Sequence, residues 1–147
     1  MHFVQTRKIV YFNIFFPIVF GGVIYTFFRD YKPESLTFIL NLVDLNVNLD
    51  PKIYLSENKY FNSWFVYSLP DGLWAYSLTY FIAHANNKIL FKNKIYWLLV
   101  TYLLICFQEI FQGSILNGTY DFNDMVSLNF GFFLALVVFK KLTEDHK

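Results

Sequence analysis

Apolar residues fall along this chain in long blocks, and the first of them, Ile9 to Phe28, runs 20 residues without a charge. A helix of that length covers about 30 Å at about 1.5 Å per residue, the thickness of a bilayer's hydrocarbon. The block follows Arg7 and Lys8 as a signal peptide would. It is long, however, and no A-x-A-like site precedes Arg29, which predicts an uncleaved signal anchor. Further blocks predict spans at Trp64 to Ala85, interrupted near its start by Pro70-Asp71-Gly72, at about Ile95 to Gln112, and at about Phe122 to Phe139. The pattern therefore predicts an all-α polytopic membrane protein, a bundle of four transmembrane helices in a single domain over residues 1–147.

Between the first two spans lies an outward loop, 29–63, too long for a simple turn. Within it Phe38, Ile39, Leu42, Leu45 and Leu49 share a helical face, while Val43 to Leu49 also alternates as a strand would. A short helix lying in the outer interface is the expectation, with an extended loop as its alternative.

Composition agrees with a membrane: 56% of residues are hydrophobic and 16% charged, and 19 Phe, 11 Tyr and 3 Trp suit lipid-facing and interfacial positions. A net charge of +1, with no basic stretch to neutralise phosphates, excludes a nucleic-acid partner. The single cysteine, Cys106, has no partner for an intramolecular disulfide and reads as packing within an apolar run.

Charge also orients the chain. Arg7, Lys8, Lys88, Lys92, Lys94, Lys140, Lys141 and Lys147 fall on one side with only Glu144 and Asp145 among the acids. The positive-inside rule makes that side the cytoplasm, with both termini on it. Depth follows by counting inward from these lysines. Asp71 lies about 25 Å from Lys88, Glu109 about 22 Å from Lys94, and Asp124 about 24 Å from Lys140. Three carboxylates from three spans thus share one height, just beneath the outer surface.

Spacing gathers more polar groups there. Gln108, Glu109 and Gln112 can line one side of the third helix, and Asp121 and Asp124 are three apart on the fourth. Asn129 is deeper, about 16 Å from Lys140, and an amide at that depth must face protein or water. Asp121 followed by Asp124 fits a helix N-cap with an acidic third position, and Asp71 after Pro70 suits a helix start. Glu109 has no such role. Near the end of its helix the dipole disfavours a negative charge, so it requires a hydrogen bond from Gln112 or Asn129, a proton, or a hard divalent cation shared with Asp121 and Asp124. Ser127, Gly131 and Ala135 form a small-residue stripe that lets another helix approach, and Gly21 and Gly22 offer a matching groove on the first span. His84 counts to the lysine edge and reads as interfacial. Asn117-Gly118-Thr119 satisfies the glycosylation sequon, which matters only where a secretory pathway reads it.

The ordered set Glu109, Gln112, Gly118, Asp121, Asp124, Asn129 and Gly131 spells E-x-x-Q, a Gly-bearing turn, then D-x-x-D-x-x-x-x-N-x-G. In this the chain resembles the VanZ-like family, over about its last third. That family also tends to carry an acid followed by Lys and then His at the start of an earlier span. Asp71 stands here without either, the mark of a divergent member. The resemblance implies a bacterial inner-membrane protein at the face where cell-wall precursors are handled, in a family whose founding members are associated with resistance to glycopeptide antibiotics such as teicoplanin.

Four readings follow. The polar layer is purely structural or binds a protein partner. Or it is a pocket for membrane lipid, a cell-wall precursor or an envelope protein, with no catalysis. Or Glu109 with Asp124 is a general acid or base acting on a lipid-linked headgroup; against this, no His lies at that height and no arginine clamp is present. Or the carboxylates couple an ion or proton to transport, for which four spans would need an oligomer. For the topology, Asn117→Cys in a Cys106→Ala background should react with a membrane-impermeant thiol reagent in intact cells; labelling only after lysis would reverse the orientation.

Overall fold

A backbone in hydrocarbon has no water to bond, so every apolar block must satisfy its N–H and C=O groups internally. The computed structural model describes residues 7–28, 63–87, 90–112 and 121–144, excepting the side chains of Phe27, Phe91, Lys92 and Gln112. All four segments are helical, and no strand occurs among the described residues. Helix α1 is Arg7–Phe28. A π-helical turn, Trp64–Ser68, leads directly into α2, Leu69–Ala85. Then come α3, Phe91–Gln112, and α4, Phe122–Glu144. The proposed interfacial helix in Ser35 to Leu49 and the Asn117 sequon lie outside the described residues.

Among the described residues three helices are long and apolar enough to cross a membrane: Arg7–Thr26, Asn93–Phe111 and Phe122–Glu144. The shorter α2 is the hub, packing on α1, α3 and α4. Val10, Tyr80, Ala83 and Phe139 form a cluster with Leu98 and Leu142 against it. The start of α1, the end of α2, the start of α3 and the end of α4 therefore share one end, and successive helices are antiparallel. Lys94 lies over the Phe139 ring at 4.4 Å, at this lysine end. Halfway along, Ala75, Ile105 and Phe132 form a second cluster.

The radial distribution is the reverse of a water-soluble protein's. Phe15, Val19, Leu103, Leu104 and Phe133 face outward, whereas Ser68, Ser77, Thr79, Thr101 and Ser127 are buried. Most of the buried hydroxyls find partners. Ser77 Oγ donates to the Ile14 carbonyl at 2.6 Å and Thr101 Oγ1 to that of Trp97 at 2.8 Å. The Thr101 bond lies within α3, but the Ser77 bond crosses from α2 to α1, the kind of small polar contact that holds helices together where lipid removes the hydrophobic drive for their association.

Two expectations are corrected. Pro70-Asp71-Gly72 does not interrupt the second span. Proline lacks an N–H and its ring collides with the carbonyl four residues back. The strain is taken up just upstream, where Leu69 N–H donates to the Trp64 carbonyl across the wider π turn, and the helix continues through Pro70. Secondly, the groove that receives the Ser127, Gly131 and Ala135 stripe belongs to α2. A Cβ built on Gly131 would stand 2.0 Å from the Gly72 carbonyl oxygen, and one on Gly72 2.7 Å from that of Ser127. Gly21 instead admits the Trp74 indole, whose Nε1 would lie 2.8 Å from its Cβ, and Gly22 faces open space. The reason is that α1 spends its contacts on α2.

Gly131→Ala sets a methyl group against backbone that has no rotamer to yield, so it should destabilise by about 1–3 kcal/mol. Gly22→Ala should lie within about 0.5 kcal/mol of wild type. Unfolding in detergent followed by circular dichroism checks both; equal stabilities would refute the close crossing.

Candidate functional site

At the end opposite the lysines, α3 finishes and α4 begins, and Glu109 lies between them with 3% of its surface exposed. Its own helix presents carbonyl ends there, which repel a carboxylate. The neighbour does the reverse. Asp121 N–H, at the first turn of α4, donates to Glu109 Oε1 at 3.3 Å, so the positive end of one helix offsets the negative end of another. Asp121 meanwhile caps α4 with its side chain, Oδ1 accepting from Asn123 N–H at 2.8 Å. Asp121 and Asp124 are both near enough for their charges to bear on Glu109. Glu109, Asp121 and Asp124 thus lie at one α3–α4 junction.

The other candidates separate. Asn129 belongs to a second α3–α4 bond: its Oδ1 accepts from Tyr102 OH at 2.8 Å, and its Nδ2 donates to the Met125 carbonyl at 2.7 Å. It is therefore not the donor to Glu109 that its depth suggested. Gln108 is exposed and turned away from the side that Glu109 occupies, which corrects the expectation that both line one face. Gln112 ends α3, and its side chain lies outside the described residues, as does Gly118. Asp71 is half-buried in the first turn of α2, at the same end of the bundle. Among the described residues, no group of three His, Cys, Asp or Glu side chains is placed to hold a metal ion.

Two participants escape the sequence pattern. Trp64, on the π turn, donates from Nε1 to Ser127 Oγ at 2.9 Å, so the smallest side chain facing Gly72 also binds across helices. Tyr102 anchors Asn129 while its ring packs at a tilt against Phe132, ring centroids 4.9 Å apart. Both are aromatic residues in a chain where 22% are aromatic, and nothing in spacing separates them from lipid-facing neighbours.

His84 lies at the lysine end in the last turn of α2, away from the carboxylates. Cys106 is half-buried and free. Around Glu109 the described side chains thus provide acceptors rather than a nucleophile paired with a base, an arrangement that receives hydrogen bonds or positive charge.

No family model, curated protein or solved structure matches this chain.

Tyr102→Phe removes one interhelical hydrogen bond and leaves the ring packing. The loss should be about 0.6 kcal/mol and at most about 1.7 kcal/mol, read as a lower midpoint in detergent unfolding; an unchanged midpoint would show the bond contributes nothing.

Proposed function

We propose that this protein is a four-span protein of the bacterial cytoplasmic membrane, a divergent VanZ-like member, whose acidic end faces outward and binds a lipid or cell-envelope ligand. The observation that carries this reading is the buried Glu109, accepting the Asp121 N–H, with Asp124 in the first turn of the same neighbouring helix, at one end of the bundle. A fourth span is supported by continuity: the five residues of the π turn and the seventeen of α2 form one helical run of 22, about 30 Å long. The lysine end is then cytoplasmic, with both termini.

The chemistry of the site narrows its ligand. Carboxylates accept hydrogen bonds and attract cations, whereas a bare phosphate would be repelled. A headgroup rich in hydroxyl, amide or ammonium donors fits, such as the sugar or peptide portion of a lipid-linked wall precursor. Occupying such a group at the outer face would alter what a glycopeptide antibiotic meets there, which is how a resistance phenotype would arise.

Glu109→Gln and Asp124→Asn keep the shape and remove the charge. Each should express and remain helical, yet lose the shift in teicoplanin susceptibility that the wild-type gene confers on a sensitive host. Wild-type susceptibility profiles from both variants would overturn the reading.

A further inference from the structure

On the other flank of α4 the bundle is incomplete. Helices α1 and α4 both lean on α2 and leave between them a groove of about 540 Å³, floored by Gly72 and Gly131. Its walls are apolar, with Phe12 and Phe16 on one side and Phe130, Leu134 and Val138 on the other. The polar side chains that line it are already bonded to the protein. Asn13 Oδ1 accepts from Tyr76 OH, Asn13 Nδ2 donates to the Ile9 carbonyl, and Trp64 Nε1 is bonded to Ser127 Oγ. What remains for an occupant is hydrocarbon contact.

The groove is also continuous with the outward apolar surface: Phe12 is 61% and Phe130 67% exposed, on two of the helices long enough to cross a membrane. From Val126 to Val138 it runs about 18 Å along α4, a little more than one leaflet of hydrocarbon at roughly 15 Å. Its lysine end carries charge on the same faces. Lys8 precedes Phe12 by four residues on α1, and Lys141 follows Val138 by three on α4, so each stands one turn beyond the groove wall. Both are exposed. Lys140 points its ammonium instead to Glu144, at 3.8 Å.

We propose that this groove holds an acyl chain of an anionic phospholipid from the lysine-side leaflet, with the phosphate between Lys8 and Lys141. An apolar channel ending in two cations matches a chain ending in an anion. A zwitterionic lipid fits the channel but gains less from the pair, because its own cation offsets the phosphate. The site lies at the opposite end from Glu109 and stands or falls independently of the acidic pocket.

The test uses the full chain in vesicles of equal parts phosphatidylglycerol and phosphatidylcholine, with a diazirine on the acyl chain of one lipid at a time. Phosphatidylglycerol should label residues 126–138 more strongly than phosphatidylcholine. Lys8→Gln or Lys141→Gln should each lower that capture about fivefold at low salt, without change in helicity, since both side chains are exposed. Leu134→Trp fills the groove and should abolish capture, whereas Leu104→Trp on the outer face of α3 should leave it intact. Equal labelling by the two lipids, indifference to the lysine changes, or full capture by Leu134→Trp would each overturn the proposal.

Discussion

Helices α2 and α4 meet backbone to backbone at Gly72 and Gly131, and the remaining geometry follows from that contact. Two helices this close carry their neighbours with them. Ser127, one turn above Gly131, comes within reach of Trp64. The first turn of α4 arrives beside the end of α3, so the Asp121 N–H can serve Glu109. With α1 packed on α2 from its own direction, the space between α1 and α4 is left for the groove. Because lipid is as apolar as leucine, such packing and a few polar bonds must hold the helices together. Tyr76 with Asn13 joins α1 to α2, and Tyr102 with Asn129 joins α3 to α4.

The bundle is electrically polarised along its length. Asp71, Glu109, Asp121 and Asp124 lie at one end, and Lys8, Lys94, Lys140 and Lys141 at the other with Glu144 among them, so the ligands proposed for the two ends are of opposite chemistry.

Much of this was legible in the order of residues. Uncharged runs marked the helices because the bilayer sets their length, and periods of three and four placed Ser127, Gly131 and Ala135 on one face. The partner of that face was hidden, since Gly72 sits two residues after Pro70, and a Pro-Asp-Gly run reads as a break when the π turn that absorbs it leaves no mark in the sequence. Glu109 was recognisable as a residue in need of a partner. Its donor was not, because a backbone N–H has no side chain to announce it and is brought there by tertiary packing alone. Tyr102 and Trp64 were lost among many aromatics that face lipid for ordinary reasons.

The π turn at Trp64–Ser68 carries one residue more than an α-helical turn would. Since each residue of an α-helix advances the chain by about 100°, the start of the turn at Trp64 is rotated by roughly that angle from where a regular helix would put it. Trp64 therefore reaches Ser127 because of a count of residues, not only because it is tryptophan. A chain shortened by one residue here would keep every side chain named above and still swing the indole off the corner of the groove. In this fold the number of residues in one turn decides which side chains meet.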